Sequence, residues 1–206
     1  MKPPPQSSRL SRSFYRRPTL QVARELLGKA LLRRVENRWV GGWIVETEAY
    51  LPEDDLASHS ARGVTKSNGS MFERAGTLYV YPIHAKYCLN AVTEKKGAGC
   101  AVLIRAIEPV WGIERMKIHR GQDDLRKLTR GPAMLCQALA VTRDQDGLDL
   151  VQDRSITICR GKSAEPVSVV SSKRIGISQA ADYPYRFFVA DNRYVSGTRK
   201  QRQHVG

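Results

Sequence analysis

Two carboxylates, Glu46 and Glu48, stand two residues apart in the run 44–59, IVETEAYLPEDDLASH, and an aromatic, Tyr50, follows. In an extended chain side chains alternate between faces. Glu46, Glu48 and Tyr50 therefore point one way, and Val45, Thr47 and Ala49 the other. An acidic loop comes next and ends on His59. A strand end that gathers an acid and an aromatic, with a histidine returning from a loop, can build a small pocket. There a flat ring could stack beside a carboxylate that activates water as a general base. Arg105 is the second residue that calls for chemistry, because it stands alone in the apolar run 100–107, CAVLIRAI. A buried guanidinium is costly unless paired, so a carboxylate or a phosphate is expected against it.

The elements that must position these residues follow from hydrophobic period and turn residues. Pro18 precedes a helix with Thr19 as N-cap and an apolar stripe of Val22, Ala23, Leu26, Leu27 and Ala30; Gly28 lies inside and weakens it slightly. Segments 31–35 and 40–49 read as strands joined by a polar turn near Asn37. Residues 51–76 form a long loop, a length usually functional or mobile. Strands are expected over 78–81, 87–91 and 100–107, then a helix over 110–119 and a basic loop over 120–130. Pro132 opens a helix over 133–141. Late strands are expected over 156–159, 167–170 and 186–189. There is no internal repeat and no domain linker.

Composition bounds the function classes. A chain of 206 residues with 41% hydrophobic content reads as one globular domain with a real core. The expected organisation is a disordered tail over 1–13 and one domain over 14–206. Lys and Arg number 34 against 20 Asp and Glu, a net charge of +14. The basic residues are spread along the whole chain, which predicts a broad positive surface and a polyanion as partner. Cysteines stand at 88, 100, 136 and 159, with no C-x-x-C spacing. That argues against a zinc ribbon, a thioredoxin-like site or a disulfide scaffold, and for reduced thiols in an intracellular protein. The first eighteen residues hold no apolar core of a signal peptide, and no apolar run reaches membrane-spanning length. A soluble protein without membrane contact is expected.

The segments TLQVARELLGKALL, IVETEAY, ASHSARG.TK....MF, GTLYVY, YCLN, VLIRAIEP, GP..LCQAL and PYRFFV occur in this order over roughly 14–196. Together they resemble the alkyladenine (3-methyladenine, methylpurine) DNA glycosylase family of base-excision repair. The resemblance implies an α+β fold, a single mixed domain whose curved, open-barrel-like antiparallel sheet is surrounded by helices. It also implies a monofunctional enzyme that flips an alkylated or deaminated purine out of duplex DNA and hydrolyses its glycosidic bond. No metal, cofactor or covalent intermediate is implied. The partner would be double-stranded DNA bearing damaged purines, met by a monomer in a bacterial cytoplasm, associated with the nucleoid, or in a eukaryotic nucleus.

Residue by residue, the resemblance assigns Glu48 as the general base, with Glu46 the rival on the same face. Arg105 would hold the attacking water beside it. Tyr50, His59 and Tyr81 would stack on the flipped base, and Asn90 would crowd the amino group of guanine. The stretch from Ile83 to Lys86 is one residue shorter than the family's hairpin, so the wedge that fills the vacated stack is His84 or Ile83. Lys86, Arg126 and Arg130 would contact the DNA backbone; as Schiff-base nucleophile, Lys86 would instead make the enzyme a lyase. Met134 stands where a basic residue is common, and Leu51-Pro52 lacks the family's glycine. Preference among 3-methyladenine, 7-methylguanine, hypoxanthine and ethenoadenine stays open, as does the group that protonates a neutral leaving base.

Two other classes compete. In a non-catalytic basic nucleic-acid-binding module, Glu48 and Arg105 would be structural, but the chain has no RNP, KH, helix-turn-helix or zinc-finger signature. A thiol hydrolase would use Cys136 or Cys88 with a histidine. Neither cysteine has a local nucleophile signature, and Cys136 lies among apolar helix residues.

Overall fold

The stretch that holds Glu46 and Glu48 forms a thirteen-residue strand, β2 (Arg38–Tyr50), after β1 (Ala30–Val35), in a computed structural model that describes residues 1–83, 85–161 and 167–202. The other strands are β3 (Leu78–Ile83), β4 (Lys86–Thr93), β5 (Cys100–Trp111), β6 (Ile156–Cys159), β7 (Val169–Ser172) and β8 (Arg186–Val189). They join in the order β3-β4-β5-β2-β1-β6, and β8 bridges β2 to β7. Every pairing is antiparallel and the sheet stays open. Around it lie α1 (Arg12–Tyr15), α2 (Thr19–Glu25), α3 (Ile113–Arg120), α4 (Leu125–Leu128) and α5 (Pro132–Ala138). The fold is α+β, as the resemblance implies.

β2 is forked. One edge pairs with β5 along most of its length. The other edge pairs first with β1, up to Trp43, and then with β8 through Glu46, Thr47 and Glu48. The carboxylates therefore sit between two neighbouring strands and are fully buried. Irregular register on β5 between Ile44 and Thr47 marks the fork. Such bulges bend and re-aim a strand beside functional sites. The main core lies where α2 and α5 pack on β2, β4 and β5, with Val22, Leu26, Ile44, Leu89, Ile104 and Leu135 fully buried.

Several expected boundaries move, each for a local reason. Pro18, not Thr19, is the N-cap of α2; the Thr19 hydroxyl donates instead to Glu94 at 2.6 Å. Gly28 lies beyond the helix end at φ +75°, a left-handed conformation that glycine adopts without strain, and Ala30 already opens β1. β5 continues through Pro109 to Trp111, so α3 starts only at Ile113, after Gly112 turns the chain at φ +69°. The segment 51–76 contains two single 3-10 turns, His59–Arg62 and Gly69–Phe72. Within 1–13, the Leu10 amide donates to Ile158 O at 2.9 Å, Arg9 bridges to Cys159, and the Leu10 side chain is buried.

Candidate active site

A cavity of about 330 Å³ opens beside the C-terminal half of β2. Its wall includes Tyr50, His59, Tyr79, Tyr81, Asn90 and Arg105, drawn from four strands and one loop. The alternation of β3 turns Tyr79 and Tyr81 to one side, and Asn90 and Cys88 face them from β4. Ser58 caps the 3-10 turn that delivers His59, by accepting from the Ser60 amide. Asn68 fixes the same turn, its amide donating to His59 O at 3.0 Å and Gly63 O at 2.9 Å.

The rings form one interlocked wall. His59 Nδ1 and the Tyr79 hydroxyl are 2.8 Å apart and share a hydrogen bond. The His59 ring meets Tyr81 edge-on with centroids 4.5 Å apart, and Tyr79 and Tyr81 lie 5.5 Å apart. Burial pushes the Tyr79 hydroxyl up to about 12 and raises Tyr81 further. Burial against these rings, with Arg62 nearby, holds the His59 imidazole below its ordinary value. Near neutral pH these rings are thus uncharged. Asn90 is pinned where it lines the cavity, its amide donating to Tyr79 O at 3.0 Å.

Beneath this wall the carboxylates are held differently. Glu48 Oε2 accepts from the Tyr50 hydroxyl at 2.9 Å and from Arg105 Nη1 at 3.2 Å, while Oε1 accepts from the Ile175 amide at 2.8 Å. All three donors belong to residues that line the cavity. Glu46 has a single donor, Arg105, that lines the cavity. Its Oε1 accepts from Arg105 Nε at 3.0 Å, Arg186 Nε at 2.7 Å and the Ser196 hydroxyl at 2.9 Å, and its Oε2 from the Ser196 amide at 2.7 Å. Burial opposes the Glu46 charge, but Arg105, Arg186 and the Ser196 amide outweigh it and hold the carboxyl below the usual range. Burial likewise opposes the Arg105 charge, and Glu48 and Glu46 outweigh it to raise that guanidinium above its ordinary value. The carboxylate expected against Arg105 is present, and it is doubled.

Ile83 is exposed at the end of β3 and lines the cavity. His84 lies outside the described residues. Lys86 Nζ is 4.0 Å from Met134 Sδ, so the position that lacks a basic residue holds a lysine's end instead. Arg126 is exposed on α4. Arg130 donates to Val195 O at 2.8 Å and Gly197 O at 3.1 Å, which ties its guanidinium to the chain itself. Cys88 and Cys136 are buried, and burial raises both thiols. A thiol nucleophile needs the opposite shift.

Sequence reasoning missed Tyr79, Arg174, Asp55, Arg186 and Ser196. Tyr79 could have been found, since it shares the strand face of Tyr81. Arg174 and Asp55 form a bidentate pair at 2.7 and 2.6 Å, both buried, and nothing in a basic chain singles that arginine out. Arg186 is fully buried, yet it carries the same letter as the solvated arginines around it.

Comparison with known proteins bears on this geometry. The family model described as Methylpurine-DNA glycosylase (MPG) matches residues 13–193. A protein of Rhodopirellula baltica named "Putative 3-methyladenine DNA glycosylase" is 57% identical over 91% of this chain and 82% of its own length. Proteins of the same name from Methanoculleus marisnigri and Koribacter versatilis are 45% and 44% identical. They align over 91% and 92% of this chain and over 98% and 94% of their own lengths.

Proposed function

This chain belongs to the methylpurine-DNA glycosylase family, and on that premise we propose that it flips an alkylated purine out of duplex DNA and hydrolyses its glycosidic bond with a water activated by Glu48. One observation carries the reading: a carboxylate buried behind an aromatic-walled cavity, held by three residues of that wall. A flipped purine is flat and needs ring faces on which to stack. Tyr50 offers one face, and His59 and Tyr81 supply the other.

The chemistry places few demands on the protein. Departure of the base leaves positive charge on the sugar, which a carboxylate stabilises while it takes a proton from the attacking water. The C1′–N bond breaks and its electron pair goes to the base. Water oxygen bonds to C1′, and the proton passes to Glu48. Arg105 offsets the cost of keeping Glu48 ionised in a dry site and orients the water beside it. A base alkylated to a cation leaves as a neutral molecule and needs no acid. The uncharged rings suit such a base, because aromatic faces attract cations. A neutral lesion would need a proton on its leaving nitrogen, so alkylated purines are the favoured substrates. Asn90 would crowd the amino group that marks guanine. Ile83 or His84 would fill the vacated stack, and Lys86 would meet the backbone.

The test is excision from duplexes that each hold one 3-methyladenine, 7-methylguanine, hypoxanthine or ethenoadenine, read as alkali-cleavable abasic sites. The reading expects abasic product, with cationic lesions processed fastest. No abasic product from any lesion would refute it and leave a non-catalytic binding module.

A further inference from the structure

The geometry points to Arg174 and Asp55 as a positioning pair for the Glu48 carboxylate, a role that rests on the proposed part played by Glu48. Both residues are buried, Arg174 at 5% exposure and Asp55 at 1%. Neither lines the cavity. Each ties together pieces of chain that the reaction needs aligned.

Arg174 reaches the site by two routes. Its guanidinium lies over the Tyr50 ring, 4.6 Å from the centroid. Tyr50 lines the cavity and Arg174 does not, so Arg174 contacts a residue of the wall without entering the cavity itself. That contact holds the ring, whose hydroxyl donates to Glu48 Oε2 at 2.9 Å. The second route runs through the backbone. The residue after Arg174 is Ile175, whose amide donates to Glu48 Oε1 at 2.8 Å. Arg105 is the third donor on Glu48, and its Nη1 also donates to Ile175 O at 3.5 Å.

Asp55 holds Arg174 in that place. Its two oxygens take both guanidinium nitrogens, and its Oδ2 also accepts from the Leu51 amide at 3.1 Å. Arg174 Nη1 donates further to Ala49 O at 2.9 Å. The pair therefore locks the end of β2 to the acidic loop that returns His59 and to the 173–177 segment on the far wall. A planar fork with two parallel hydrogen bonds fixes direction as well as distance. Burial opposes the Arg174 charge, and Asp55 outweighs it to keep the guanidinium raised. Displacements of about 1 Å at a reacting carboxylate are costly in rate even when binding is intact.

Single-turnover excision of 7-methylguanine with enzyme in excess separates positioning from simple loss of folded protein. Misfolded enzyme shifts the concentration that gives half-saturation and leaves the saturated rate constant unchanged. Asp55→Asn, which removes one charge-assisted bond of the fork, is expected to lower the saturated rate constant tenfold or more, with half-saturation within about threefold of wild type. Arg174→Lys keeps the charge but loses the fork; it is expected to lose at least fivefold and serves if Asp55→Asn does not fold. A saturated rate constant within twofold of wild type in the soluble variants would overturn the pair's role. Failure of wild-type enzyme to excise the base, or full activity of Glu48→Gln, would overturn the reading of Glu48 instead.

Discussion

Glu46 and Glu48 share residue type, strand face and full burial, yet their donors divide them. Glu46 meets Arg105 of the cavity wall but also Arg186 and both donors of Ser196, which do not line the cavity, a structural anchor for β8 and the C-terminal segment. Glu48 meets only residues of the cavity wall. The period of a strand makes Glu48, Tyr50 and Arg105 legible as candidates. It cannot reveal partners such as Ser196, which is 150 residues from Glu46 in the chain, or Arg174, which is 119 from Asp55. His59 yields a prediction at this scale. Its imidazole titrates below the ordinary value of about 6.5, so it is neutral above that pH and gains charge only below it. A charged His59 would repel a cationic base and leave a neutral one unharmed. The ratio of 7-methylguanine to hypoxanthine excision should fall as pH drops below the ordinary histidine value of about 6.5 and stay level in His59→Phe. A wild-type ratio that is level down to pH 5 would contradict this.

Among the elements, β2 does most to set the site, because its fork brings β5 to one side of Glu46 and Glu48 and β8 to the other. Close approach of β2 to β5 depends on Gly42. A Cβ there would lie inside the van der Waals shell of the Glu108 carbonyl oxygen, a backbone atom that cannot swing away. Gly42→Ala should therefore cost roughly 2 kcal/mol or more, read as a lower thermal midpoint. An unchanged midpoint would mean that the β2–β5 spacing is slack. The strands were legible wherever apolar runs meet turn residues, and 100–107 and 156–159 fall inside or on observed strands. The errors lie where a tertiary partner overrides local preference. Pro109 sits in β5 although it cannot donate to a ladder, and the 110–119 apolar period belongs partly to that strand. The fork itself has no local signal, since β8 reaches β2 across more than a hundred residues of chain.

At the scale of the molecule, a net charge of +14 predicts duplex affinity that falls steeply with salt. Among the described residues no helix is long and apolar enough to cross a membrane. The overall charge was plain from composition, but which arginines are free to meet phosphate was not. Arg126 is exposed, whereas the Arg130 guanidinium serves Val195 and Gly197. Arg126→Ala should flatten the slope of log affinity against log salt by about one unit; an unchanged slope would put the DNA on another face. The central claim, that Glu48 activates the water, is tested most directly by single-turnover excision with Glu48→Gln, which keeps size but cannot take a proton. The expected result is a saturated rate constant lower by about 10²-fold or more, with duplex binding and thermal midpoint near wild type. A Glu48→Gln enzyme that keeps its rate, beside a folded but inactive Glu46→Gln, would contradict the account.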